Sequence, residues 1–159
     1  MRIGFGYDVH RFESGRELWL GGIKIEYPLG LAGHSDADVL IHAICDALLG
    51  AAGLRDIGYY FPDNNANFKN IDSKILLKKT IQLVRNEGFE IENIDSTVCA
   101  EKPKINPFID EMKKTLSEVL QIPQKNIGIK ATTTEKLGFV GKEEGIAAYA
   151  VVLLRVFAC

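Results

Sequence analysis

Asp8 and His10 stand two apart in Arg2–His10, a run in which apolar residues alternate with glycine or polar ones. Period-two spacing puts both side chains on one face of a strand. Further along, Asp38, His42 and Asp46 recur every fourth residue among Val39, Leu40, Ile41, Ile44, Leu48 and Leu49. That spacing predicts a helix with an imidazole stacked between two carboxylates along one side. Ionisable groups on a helix otherwise fit for a core are costly unless something uses them. One use is a metal. Asp8, His10 and His42 supply two nitrogen donors and one oxygen donor and leave a fourth position open, a zinc-like set. A neighbouring carboxylate would then orient the second ring nitrogen of His42. The alternative is hydrogen-bonded core histidines, and spacing leaves both open. All three histidines of the chain (His10, His34, His42) fall in these two stretches.

Two other groups invite chemistry. His34-Ser35 lies near the start of the predicted helix, where free N–H groups and the helix dipole favour an anion; ordinary capping by Ser35 or Asp36 is the alternative. Thr132 and Glu135 have the spacing of a capping box. Alternatively, Thr132-Thr133-Thr134 offers three hydroxyls to a phosphate while Glu135 holds a hard cation. Lys102, Lys104 and Lys130 suit solvent or phosphate equally. The pairs Asp36/Asp38 and Glu143/Glu144 read as solvated or capping groups.

The elements that position these residues follow from periodicity. In Arg2–His10, Ile3, Phe5, Tyr7 and Val9 face one way, and Gly4, Gly6, Asp8 and His10 the other. The two glycines leave room for a ligand or another backbone. Gly21-Gly22 between Leu18-Trp19-Leu20 and Ile23-Lys24-Ile25 signals a hairpin. The first helix runs to about Ala52. Leu54–Asp63 reads as an ordered loop and Asn64–Asn70 as a mobile one. Asp72 or Ser73 caps a second helix, with Ile75, Leu76, Ile81, Leu83 and Val84 inward and Gly88 as its stop. Ile94–Glu101 is a strand. Pro107 opens a third helix, striped by Phe108, Ile109, Met112, Leu116, Val119 and Leu120. Ile127–Ala131 is a short strand, and Gly138, Gly141 and Gly145 punctuate a loop. Ile146–Phe157 reads as a central strand covered on both faces. Together these predict an α+β fold, an α/β sandwich in which a mixed sheet carries helices on one face, plus an N-terminal β-hairpin. A length of 159 residues fits one domain, 1–159.

A net charge of -2 opposes non-specific nucleic-acid binding. Cys45, Cys99 and Cys159 are dispersed, without a CxxC pair, which suits a reducing compartment and no disulfide framework. Strand-like sequence from Arg2 onward leaves no place for a signal or transit peptide. The apolar run Ile146–Cys159 is too short for a membrane span and contains Arg155. A cytoplasmic protein without membrane or nucleic-acid partners is expected.

Four motifs occur in one order and spacing: Gly6-Tyr7-Asp8-Val9-His10; Gly33-His34-Ser35-Asp36-Ala37-Asp38; Asp56-Ile57-Gly58 with Phe61-Pro62-Asp63; and Ala131-Thr132-Thr133-Thr134-Glu135-Lys136-Leu137-Gly138-Phe139. With them, the whole chain resembles the 2-C-methyl-D-erythritol 2,4-cyclodiphosphate synthase family of the non-mevalonate isoprenoid pathway. The resemblance implies a lyase that converts 4-diphosphocytidyl-2-C-methyl-D-erythritol 2-phosphate to the cyclic diphosphate and CMP. It implies a homotrimer with active sites between neighbouring subunits. It implies zinc at Asp8, His10 and His42, and a second divalent ion, magnesium or manganese, at Glu135. Ala100, Lys104, Ala131, Thr132 and Thr133 would form the cytidine and phosphate side. His34, Ser35, Asp56, Gly58 and Asp63 would surround the methylerythritol, with Ile57, Phe61, Phe139 and Lys142 as further substrate contacts. His34, Thr133 and Glu135 would carry the catalytic roles. The nucleophile would be the substrate's own anionic 2-phosphate, so no Ser-His-Asp arrangement is expected. Family members often carry arginine at the position of Lys142, facing a diphosphate in a central trimer cavity. Lysine keeps the charge there without the two-pronged fork.

Overall fold

Gly4 and Gly6 explain how the layers meet. They lie on β1 (Arg2–Ser14), and a Cβ on either would sit 1.9 Å from a backbone carbonyl of α1 (Val39–Ala52): that of Ala47 for Gly4, that of Ala43 for Gly6. The room left by the glycines is therefore filled by another backbone. Ala43, Ala47 and Ala51, four apart, give the helix an equally bare stripe, so strand and helix approach closely. We expect Gly6→Ala to destabilise the fold by about 3 kcal/mol, because the obstructing atom is main chain. An unchanged thermal unfolding midpoint would contradict this packing.

The structure, a computed structural model, describes residues 1–62, 64 and 70–157. Five strands form the main sheet in the order β4-β1-β7-β5-β6, with β4 at Leu29–Leu31, β5 at Phe89–Cys99, β6 at Ile127–Thr132 and β7 at Gly145–Val156. β5 and β6 pair in parallel; the other neighbours are antiparallel. β2 (Leu18–Leu20) and β3 (Ile23–Ile25) make the expected hairpin. Gly21 and Gly22 both take positive φ, as a tight two-residue turn with the strand twist requires. α1, α3 (Ser73–Asn86) and α4 (Ile109–Leu120) pack against the sheet or one another, and Leu40, Ile41, Ile44, Leu48, Leu77 and Met112 are fully buried among them. The α+β architecture with a mixed sheet is as expected.

The other face of the sheet is bare. Ile3 and Phe5 are 73% and 63% exposed, and Tyr7, Val9, Tyr149 and Val151 are exposed beside them. β7 is central, between β1 and β5, but its burial alternates from Ala148 onward. The expectation of cover on both faces therefore fails within the protomer, because all the long helices lie on one side.

Several boundaries differ from expectation for local reasons. α1 starts at Val39, capped by Asp38 rather than by Ser35 or Asp36. Asp38 wins because its carboxylate is also wanted by the hairpin: it accepts N–H bonds from Gly21 at 2.9 Å, Gly22 at 2.6 Å and Ile41 at 3.0 Å. Burial, followed by the nearby Asp36 charge, pushes the Asp38 carboxyl above its ordinary range, against the pull of those bonds. Within 54–63, α2 (Ile57–Tyr60) forms because Asp56 caps it and Asp46 accepts the Ile57 N–H at 2.7 Å. Asp72 caps α3, whose Ile75 turns outward while Leu77 turns in. β5 begins at Phe89, ahead of the expected Ile94. Pro107 lies in a single 3₁₀ turn, Asn106–Phe108, that leads into α4.

Thr132 and Glu135 do not make a capping box. The helix that follows, α5 (Gly138–Gly141), begins six residues after Thr132 and has Leu137 at its cap position. The expected mobile loop Asn64–Asn70 falls largely outside the described residues, and Asp63 and Cys159 fall wholly outside them. Cys45 and Cys99 are buried free thiols. Among the described residues no helix is long and apolar enough to cross a membrane.

Candidate active site

The close approach of β1 and α1 carries Asp8, His10 and His42 into one cluster. Asp8 Oδ2 lies 3.0 Å from His10 Nε2 and 3.1 Å from His42 Nδ1, and the two nitrogens are 3.1 Å apart. Bonds of about 2.0–2.1 Å to a tetrahedral ion place two donors roughly 3.3 Å apart, so this triangle has the size of one face of a zinc tetrahedron. Among the described residues it is the one His/Cys/Asp/Glu group with metal-binding geometry. Burial works to raise the Asp8 carboxyl, but hydrogen bonds from His10 and His42 outweigh it and hold the pKa at about 2. Burial likewise works to lower the His42 pKa, and the Asp8 bond and charge override it, leaving it raised.

Each imidazole is held from behind. His10 Nδ1 donates to the Ala32 carbonyl at 2.6 Å, which fixes the ring so that Nε2, once its proton is lost to a metal, turns its lone pair toward the cluster. His42 Nε2 lies 2.9 Å from Ser73 Oγ and 3.2 Å from Ser35 Oγ. The expected carboxylate partners of His42 are thus corrected. Asp38 caps α1 and Asp46 holds the start of α2, each engaged by nearer backbone N–H groups.

The cluster opens into a cleft of about 210 Å³ lined by His34, Ser35, Ile57, Gly58 and Phe61, together with Gly33, Ile71 and Leu76. Arg16 shapes one wall by donating to the carbonyls of Gly33 at 2.8 Å and Ser35 at 2.5 Å. His34 and Ser35 line this cleft ahead of α1 rather than at a free helix end, since Asp38 occupies that end. Asp56 does not line the cleft; it caps the helix that does.

A second cleft, of about 170 Å³, is lined by Ala100, Lys104, Ala131, Thr132 and Thr133, with Ile105 and Asn106, which sequence reasoning missed. The N–H of Ala100 donates to the Thr132 carbonyl at 3.0 Å and joins its two walls. Beside it, Glu101 Oε1 accepts the N–H groups of Thr134 and Lys136, both at 3.1 Å. This staple holds Glu135 between them at φ 52, with its carboxylate exposed and 3.2 Å from Thr133 Oγ1. A lone exposed carboxylate beside a hydroxyl suits a hard cation that takes its remaining oxygens from a phosphate. Lys130 pairs with Asp95 and Lys102 with Glu143, so of the three lysines only Lys104 lines the cleft. Phe139 and Lys142 are exposed in and just after α5 and line neither cleft in the protomer.

Fold and site define a small α+β domain with three donors, on one strand and one helix, that could hold a metal ion. Residues 1–155 match the YgbB family model, and the chain belongs to that family. It is 67% identical over 155 residues to the 2-C-methyl-D-erythritol 2,4-cyclodiphosphate synthase of Parabacteroides distasonis, covering 98% of this chain and 96% of that one. The bifunctional IspDF of Campylobacter jejuni has a solved structure with a TM-score of 0.94 at 47% identity, covering 98% of this chain and 42% of that longer one. A solved 2C-methyl-D-erythritol-2,4-cyclodiphosphate synthase in a CDP-bound form has a TM-score of 0.89 at 38% identity, covering 97% of this chain and 100% of that one.

Proposed function

We propose that this chain, a single catalytic domain, converts 4-diphosphocytidyl-2-C-methyl-D-erythritol 2-phosphate into 2-C-methyl-D-erythritol 2,4-cyclodiphosphate and CMP. The observation that carries the reading is the Asp8–His10–His42 triangle opening into the cleft walled by the family motifs. An oxygen of the 2-phosphate attacks the phosphorus nearer the methylerythritol. The bond from that phosphorus to the bridging oxygen breaks, and CMP departs with the electron pair. The nucleophile is already anionic, so the protein has to position two phosphates rather than activate one.

Asp8, His10 and His42 hold zinc, and Glu135 beside Thr133 holds magnesium or manganese with the substrate phosphates. Such ions supply charge neutralisation and a fixed in-line geometry. His34 and Ser35 face the methylerythritol phosphate, while Ile57, Gly58 and Phe61 offer an apolar wall to its carbon chain. Ala100, Lys104, Ala131, Thr132 and Thr133 receive the cytidine half. The Thr133 hydroxyl, beside Glu135, is the donor available to stabilise charge that develops on the departing CMP.

The substrate has to touch both clefts, yet among the described residues none lines both. A homotrimer resolves this by setting the nucleotide cleft of one copy beside the metal cleft of the next. The bare sheet face of Ile3, Phe5, Tyr7, Val9, Tyr149 and Val151 supports that assembly, because apolar patches of this kind mark interfaces. We expect the mass of three chains by light scattering at micromolar concentration; a single-chain mass would contradict the assembly. Buried free thiols at Cys45 and Cys99 suit the reducing cytoplasm. The activity is tested by supplying the substrate with zinc and magnesium. One CMP per cyclic diphosphate is expected, stopped by a chelator and restored by the metals. Absence of CMP from metal-loaded protein would overturn the assignment.

A further inference from the structure

His42 offers Nδ1 to the cluster, so that nitrogen has to keep a lone pair and the proton has to sit on Nε2. What decides this is the group facing Nε2. Ser73 Oγ stands there at 2.9 Å, on a residue with no exposed surface, so water does not take its place. The Ser73 hydroxyl also meets Asp36 Oδ1. A carboxylate only accepts, so the hydroxyl proton goes to Asp36 and the oxygen's lone pairs are left for the His42 Nε2–H. Asp36 is held in turn, since its Oδ2 accepts the Ser73 N–H at 2.9 Å and its own N–H donates to the Ile71 carbonyl at 3.1 Å. Ser73 is available for this task because Asp72 caps α3. Ser35 Oγ, which already takes the Ala37 N–H at 3.1 Å, is the more distant acceptor at 3.2 Å.

We propose that Asp36 and Ser73 are positioning residues that hold His42 in the tautomer and orientation a metal needs. This rests on the reading of Asp8, His10 and His42 as zinc ligands. The two histidines differ in this respect. His10 is oriented by a main-chain carbonyl, which no side-chain substitution deletes, whereas His42 is oriented by side chains from two distant segments. The chain Asp36–Ser73–His42 also ties the metal centre to the first turn of α3, whose Leu76 lines the same cleft.

The test is zinc affinity, measured by competition with a chromophoric chelator on folded wild-type protein and on Ser73→Ala, Asp36→Asn and His42→Ala. Ser73→Ala is expected to bind zinc about 10–100-fold more weakly. Asp36→Asn keeps the shape but loses one acceptor, and is expected to move the same way by less. A merely structural role for the pair would lower the unfolding midpoint and leave the zinc Kd of the folded protein unchanged. Wild-type affinity in both variants would overturn the proposal while leaving the ligand assignment intact. Should Ser73→Ala fail to fold, Asp36→Asn alone decides. Unaltered zinc binding by His42→Ala, or none by wild type, would overturn the ligand assignment and this proposal with it.

Discussion

His42→Ala is expected to empty the zinc site and cut turnover roughly a thousandfold, about 4 kcal/mol of lost transition-state stabilisation, while the fold persists. The fold persists because the helix is held by Leu40, Ile41, Ile44 and Leu48, all fully buried, and none of them is touched. The site fails because three donors at 3.0–3.1 Å become two, and a carboxylate with one imidazole leaves too open a set for zinc. Elemental analysis of the purified variant, beside its far-ultraviolet circular dichroism, reads both halves. Wild-type zinc content in a folded variant would remove His42 from the ligand set.

Glu135→Gln is expected to cut turnover roughly a hundredfold, about 3 kcal/mol, with the thermal midpoint nearly unchanged. A capping role cannot account for such a loss, since no helix begins at Thr132. The backbone at Glu135 is left-handed, but glutamine meets the same constraint as glutamate, so the change isolates the charge. The side chain is exposed, and surface substitutions of this kind stay within about 0.5 kcal/mol of stability. Raised magnesium or manganese should recover part of the rate by mass action on a weakened hard-cation site. The check is turnover against magnesium concentration for both proteins. Superimposable curves would take Glu135 out of the site.

The parts of the site legible in the sequence are those that periodicity reaches. Asp8 and His10 share a face because strands alternate, and the bare Gly4 and Gly6 on that face left room for a ligand or a backbone, which the main chain of α1 fills. Spacing failed where it was asked for partners rather than faces. Asp38 and Asp46 share helical spacing with His42, yet both were claimed by backbone N–H groups brought in by the hairpin and by α2. The group nearest His42 Nε2, Ser73 Oγ, lies 31 residues away in the chain, a pairing that only the packing of α3 creates. The apolar run of β7 misled in another way. A strand that its own helices cover on one face reads the same as one covered on both, if the second cover is another copy of the chain. The second cleft was legible only in pieces: residue type suggested phosphate contacts at Thr132, Thr133 and Lys104, but nothing in their spacing places them in one cleft.

Cyclisation itself is the central claim, and phosphorus NMR of the reaction in oxygen-18 water tests it most directly. Substrate turned over by the metal-loaded protein should give the two coupled phosphorus signals of the cyclic diphosphate beside one equivalent of CMP, with no oxygen-18 shift on any product. A linear product with oxygen-18 on a phosphate would mean that water is the nucleophile and that the site hydrolyses rather than cyclises.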